Sequence, residues 1–253
     1  MSESAGVDGR RVVVAGATSE SGVAVCAALR DAGAAVVAVG SNPERLASLA
    51  ERVPGIEVRT CDLADFGAVE ALARDLTTPP AGAAAPDTDG DTPGRSEAPI
   101  AVDGLIHLVG GWVGGKGILG QTDEGWAAME RSFRTLRNTV RAFYPALVAS
   151  EAGRVAFVSS VSVDAPTASG ADYTAAKVAS ESWMRSLAQA FATEPRHPAA
   201  VIFAVKALVD DRMRAAAPER TFPGFTDVAT LAEAVVALWD APGADLNSTR
   251  RIL

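Results

Sequence analysis

The chain has 253 residues, of which 48% are hydrophobic and 21% charged, with a formal net charge of −8. That balance supports a large buried core and excludes a globally disordered chain, and the length suits one α/β domain. Acidity without a dense run of Lys and Arg argues against nucleic acid or an anionic membrane surface as partner, and no run reaches the roughly 18 apolar residues of a membrane-spanning helix.

Residues 1–11 are polar and lack the apolar stretch of a secretory leader, so a cytoplasmic protein is expected. Cys26 and Cys61 have neither CxxC nor metal-ligand spacing and are read as reduced thiols, with no metal site.

Short β-branched runs alternate with longer stretches of helical period, the pattern of crossover units that build a parallel sheet. Strands are predicted at 12–15, 35–39 and 56–60, with a helix over 21–31 stopped at Gly33 and another opened by the cap residue Asn42 and Pro43. A helix near 66–76 leads into residues 77–99, rich in Pro, Gly, Ala and Asp. With almost nothing large and apolar to bury, that segment is expected to be a flexible surface insertion.

A fourth strand over 102–109 runs into the glycine-rich loop 110–117. A long helix follows over about 122–150, with a break expected near Pro145. Further strands are predicted at 154–159 and 200–205, a helix at about 171–193 between them, then two helical pieces and a terminal strand near 250–253. Six or seven strands with helices on both faces make a doubly wound parallel sheet, whose ligands lie beyond the carboxyl ends of the strands.

Gly16-Ala17-Thr18-Ser19-Glu20-Ser21-Gly22 lies between the first strand and helix. A turn there needs residues without Cβ, and the helix N-terminus offers N–H groups to a phosphate. Gly16, Thr18, Ser19 and Gly22 are therefore candidate cofactor-binding residues. Ser41 and Asn42 follow the second strand, where an acid would bind a ribose 2′-hydroxyl; its absence, with Arg45 near, tips the expectation toward NADP over NAD. A helix cap explains Asn42 equally well.

Ser160 is followed thirteen residues later by Tyr173 and four later by Lys177. Tyr and Lys at that spacing share one helix face, so the ammonium is expected to lower the phenol pKa toward working pH and make an acid/base of it.

These motifs together, with Gly153-Arg154-Val155-Ala156-Phe157-Val158-Ser159-Ser160 and Tyr173-Thr174-Ala175-Ala176-Lys177, resemble the short-chain dehydrogenase/reductase family over nearly the whole chain except 77–99. The resemblance implies a Rossmann fold and hydride transfer between a nicotinamide cofactor and a carbonyl or alcohol. By it, Ser160, Tyr173 and Lys177 are catalytic, and Ser132 stands where the family has an Asn that holds a relay water. Lys177 would also hold the nicotinamide ribose. Asp62 and Leu63 would meet the adenine, and Gly110 would keep the backbone shape of the loop after strand four. Dimers or tetramers formed through the long helices are implied as well.

Departures from the family pattern mark the cofactor pocket. Glu20 stands on the central glycine of the phosphate loop and is expected to point away; His107-Leu108-Val109-Gly110 replaces NNAG; and the Pro-Gly pair after strand six is missing from Lys206-Ala207-Leu208-Val209. His107 is read as a core histidine. Trp112 and 208–225, with Met213, Phe222 and Phe225, are expected to wall a small-molecule substrate with an apolar body. A catalytically silent member that binds a ligand or partner through the same fold is the alternative.

Overall fold

The computed structural model describes residues 6–78 and 100–253, so the expected insertion lies, from residue 79 onward, outside the described residues. The first half runs β1 (Arg11–Ala15), α1 (Glu20–Asp31), β2 (Ala35–Gly40), α2 (Pro43–Arg52), β3 (Glu57–Thr60) and α3 (Phe66–Thr77). It continues with β4 (Gly104–His107), α4 (Asp123–Ala149), β5 (Arg154–Ser160), α5 (Ala171–Phe191) and β6 (Ala199–Val205). The remainder is β7 (Leu208–Val209), α6 (Asp211–Ala216), β8 (Thr226–Asp227), α7 (Val228–Val236), α8 (Gly243–Leu246) and β9 (Arg250–Ile252).

Seven strands form a parallel sheet in the order β3-β2-β1-β4-β5-β6-β9. Alternation along β1 explains its continuous apolar text. Val12 and Val14 face a core shared with Val25, Leu29, Leu231 and Val235 of α1 and α7, while Val13 and Ala15 face Leu136, Phe143 and Leu147 of α4 with Met184 of α5. A strand covered on both faces has no polar side to show. The strand order reverses between β1 and β4, which opens a crevice at their carboxyl ends.

Two expectations are corrected here. The fourth strand ends at His107 rather than at 109, because β1 gives way to its turn at Gly16 and Leu108 and Val109 leave the ladder to line the crevice. The long helix is not broken at Pro145. Pro145 and Arg141 are exposed, so the helical hydrogen bond lost at the proline falls on the outer face and the helix continues through it. A separate two-stranded parallel sheet, β7 with β8, was not foreseen; it builds the wall after β6 where the Pro-Gly pair is missing.

Candidate active site

Gly16 has φ +82°, and a Cβ there would sit 2.9 Å from the backbone of Leu108 and Val109, so its lack of a side chain lets the ends of β1 and β4 meet. Ser19 caps α1, its Oγ accepting the Gly22 N–H at 3.1 Å. That spends the Gly22 N–H inside the turn, and a Cβ on Gly22 would run into the Ala17 carbonyl, so this glycine serves loop packing and lies off the cavity walls. Ser19 and Ser21 do reach a cavity of about 380 Å³, together with Gly110, Trp112, Ser160, Tyr173, Lys177 and Leu208.

A second cavity of about 340 Å³ shares Ser19, Leu108, Val109 and Gly110 with the first. Gly16, Thr18, Gly40, Ser41, Arg45, Cys61, Asp62, Leu63, Arg131 and Thr135 complete its lining. Asn42 is not on that wall: its Oδ1 accepts the Arg45 N–H at 2.9 Å and caps α2. Asp62 is held by Arg131 Nη2 at 2.6 Å and accepts the Ala64 N–H at 2.9 Å, and these bonds, the Arg131 one first, hold its carboxyl below the usual range. Arg131, which lines this cavity, went unnoticed in the sequence because nothing in a helical surface position announces a partner 69 residues away.

The other three motif residues converge on the first cavity. Ser160 ends β5, and its Oγ accepts the Ser162 N–H at 3.1 Å; it lines the same cavity as Tyr173. Lys177, one helical turn beyond Tyr173, donates from Nζ to the Val158 carbonyl at 2.7 Å and stands 4.6 Å from the Phe157 ring centroid and 5.7 Å from that of Tyr173. Burial brings the Lys177 pKa down to about 8, against an opposing pull from Glu181. The expectation that Lys177 lowers the Tyr173 pKa is not met in this geometry. Its ammonium addresses a carbonyl and ring faces, and burial raises Tyr173 with only the neighbouring Ser160 hydroxyl acting the other way.

Ser132 sits behind the loop, donating from Oγ to the Val109 carbonyl at 3.3 Å. A Cβ on Gly110, φ +137°, would lie 2.8 Å from Ser132 Oγ and 3.7 Å from Lys177 Nζ, so Gly110 is where the loop, α4 and the lysine crowd together. His107 is fully buried, with Nε2 3.0 Å from Thr135 Oγ1. Burial, and then the nearby Lys177 charge, push its pKa down to about 3, so it is a neutral core residue at ordinary pH.

Glu20 points out of the phosphate loop. Arg52 grips its carboxylate at 3.0 and 2.7 Å and Arg212 at 2.8 Å, and these partners, Arg52 foremost, bring its pKa down to about 2. Of the expected substrate walls, Trp112 and Leu208 line the first cavity. Met213, Phe222 and Phe225 do not; the two phenylalanine rings meet in a tilted pair, centroids 5.6 Å apart, beside Arg220.

A parallel doubly wound sheet with a glycine turn and a crevice at its switch point, around which Ser160, Tyr173 and Lys177 lie, gives the chain the Rossmann-like α/β fold. The short chain dehydrogenase family profile matches residues 97–216. The fold aligns over 98% of the chain with 89% of a short-chain type dehydrogenase/reductase from Mycobacterium ulcerans, at TM-score 0.80 and 17% identity. An NADPH-bound short chain oxidoreductase from Pseudomonas aeruginosa with an atypical catalytic center aligns over 97% of the chain and 96% of its own, at TM-score 0.76 and 21% identity. The chain is thus similar to short chain dehydrogenases in sequence over residues 97–216, just under half of its length, and in fold over nearly all of it.

Among curated proteins, L-xylulose reductase of Mus musculus is 45% identical over 65 residues, which are 26% of this chain and 27% of that one. D-erythrulose reductase of Gallus gallus is 48% identical over 63 residues, 25% and 26% of the two chains. The matched segments thus span about a quarter of these relatives. Among the described residues no helix is long and apolar enough to cross a membrane.

Proposed function

We propose that the protein is an NAD(P)-dependent oxidoreductase that interconverts a small carbonyl compound and its alcohol. The observation that carries this reading is the convergence of Ser160, Tyr173 and Lys177 on one cavity that shares its floor with a second cavity at the phosphate loop. The two cavities and the Gly16 cradle suit a dinucleotide laid across the switch point, its adenosine half toward Ser41, Asp62 and Leu63 and its nicotinamide half toward Tyr173 and Lys177. When bound, that cofactor supplies or accepts the hydride.

The chain's own part is proton handling and charge. Tyr173 Oη delivers a proton to the substrate oxygen in reduction and takes it back in oxidation. Ser160 donates to the same oxygen as charge grows on it. Lys177, close to neutral pH in its titration, keeps a positive charge beside the tyrosine and the ribose. Ser132, behind Gly110, holds the loop and a relay water.

Arg45 and Ser41 on the second cavity, with no acid after β2, favour NADP. Trp112 and Leu208 favour a substrate with an apolar body. A hydroxylated ketone is the second reading, supported by Ser162, Thr167 and Thr174 on the same wall and by the names of the two curated relatives. We place the reaction in the cytoplasm, where the buried free thiols Cys26 and Cys61 stay reduced. We assign a single domain and a dimer or tetramer built through α4 and α5. Assay of wild type and Tyr173→Phe with NADPH and NADH over apolar and hydroxylated carbonyls tests the reading: wild-type turnover that survives Tyr173→Phe, or none on any compound, overturns it.

A further inference from the structure

Tyr173, Lys177 and Glu181 lie at successive four-residue steps on α5, so all three face the sheet. Glu181 is fully buried, and the proton chemistry above does not use it. Its carboxylate accepts from Ser159 Oγ at 2.6 Å, from Arg250 Nε at 3.0 and 3.1 Å, and from Arg185 Nη2 at 2.9 Å. Arg250, on the edge strand β9, also donates to the Ser160 carbonyl at 3.3 Å and pairs with Asp164 at 2.9 Å. An apolar residue would fill this seam without the desolvation cost of a buried carboxylate, and the fold keeps the charge by saturating it with donors.

We propose that Glu181 and Arg250 are positioning residues for the Ser160, Tyr173 and Lys177 set. Glu181 fixes Ser159 and the Arg250 guanidinium, and Arg250 holds the Ser160 carbonyl and, through Asp164, the turn that the Ser160 side chain caps. The last two residues of β5 are thereby clamped between α5 and β9, and the Ser160 hydroxyl is aimed at Tyr173. The inference rests on the oxidoreductase reading for its catalytic consequence.

Glu181 has a second effect, through charge. Facing Lys177 are Glu181 and Tyr173 on its own helix, the Phe157 ring from β5 and neutral His107 from β4; facing Glu181 are Arg185, Lys177 and, from β9, Arg250. The charge of Glu181 opposes the loss of the Lys177 proton. Removing its charge while keeping its shape lets the Lys177 pKa fall further.

The test uses the full chain. The pH profile of kcat/KM is measured for wild type, Glu181→Gln, Ser159→Ala and Arg250→Lys, beside the titration midpoint of the Lys177 amine from pH-dependent acetic anhydride labelling read by mass spectrometry. The chain has three lysines, and the exposed Lys116 and Lys206 serve as internal references. Glu181→Gln is expected to lower the Lys177 midpoint and the alkaline limb of activity together by about half a unit or more, with kcat reduced on the order of tenfold and cofactor KM changed less. Ser159→Ala and Arg250→Lys, which leave the Glu181 charge in place, are expected to lower kcat without moving the limb.

An unmoved midpoint and limb in Glu181→Gln, with activity reduced only in step with folded protein, overturns the proposal. If Glu181→Gln does not fold, unchanged kcat in both Ser159→Ala and Arg250→Lys overturns it instead. A wild type inactive on every carbonyl sinks the oxidoreductase reading and with it the catalytic consequence. The labelling midpoint still decides whether Glu181 holds the charge of Lys177.

Discussion

Arg212 of α6 reaches Glu20, the first residue of α1, at 2.8 Å, so the short helix behind β7 is tied to the phosphate loop. With Arg52 on the same carboxylate, the acid that stands in place of a loop glycine is matched by two guanidiniums. Glu20→Gln is therefore expected to free both, tightening dinucleotide binding several-fold at low salt, with the gain shrinking as salt rises. Stability should change little, since exposed ion pairs contribute about 0–1 kcal/mol each. Fluorescence titration with NADPH at two ionic strengths checks this; equal affinities at low salt would show that the two arginines never reach the cofactor.

The residues around the first cavity should separate by role. Tyr173→Phe removes only the hydroxyl and is expected to abolish turnover while leaving cofactor affinity nearly intact. Lys177→Met should lose turnover and weaken cofactor binding as well, because it is assigned to both tyrosine and ribose. Ser160→Ala should cost on the order of 3 kcal/mol in kcat/KM through one lost donor. A common loss of both rate and affinity in all three would point to a shared structural defect.

Features set by neighbours in the chain were legible in the sequence, and features set by distant partners were not. The sheet could be read because β1, β5 and β6 are covered on both faces and so write unbroken apolar runs. Asn42 followed by Pro43 announced the cap it makes, and the spacing of Ser160, Tyr173 and Lys177 announced one site because a strand end and a helix face fix it locally. By contrast, β7 and β8 are two residues each, too short for any period to appear. Of the two partners of Glu20, Arg52 lies 32 residues away and Arg212 lies 192 away, and the Glu181 contact with Arg250 spans 69. The direction of the Lys177 ammonium depends on the Val158 carbonyl, a backbone group that no side-chain pattern encodes.

Ile100 donates its N–H to the Thr77 carbonyl at 2.8 Å, so the chain leaves and rejoins the fold at one point on either side of residues 79–99. We propose that those residues can be replaced by a short Gly-Ser link: the connection has almost no distance to span, and their composition offers few apolar groups to the core. The melting temperature and kcat of the shortened chain should match those of wild type. A drop of more than a few degrees would show that the segment packs on the domain.

His107 provides a prediction about acid stability. It is neutral and buried in the folded chain, with Nε2 on Thr135 and Nδ1 without a partner among the described residues, and its pKa is down at about 3. In the unfolded chain the same imidazole takes a proton near its reference value of about 6.5. Between those two values only the unfolded state is protonated, so this group's contribution is fully present above about 6.5 and is lost as pH falls toward 3, with a slope approaching about 1.4 kcal/mol per pH unit. His107→Gln keeps a hydrogen-bonding group for Thr135 and removes the titration. Urea unfolding at pH 7 and pH 5 should therefore show a loss of stability on acidification that is smaller in the variant by about 2 kcal/mol, while carboxylates common to both proteins cancel. At pH 7 the variant should be the less stable of the two, through imperfect packing beside Phe157. An identical acid-induced loss in both would mean that His107 titrates alike folded and unfolded, which requires water or a proton acceptor at Nδ1.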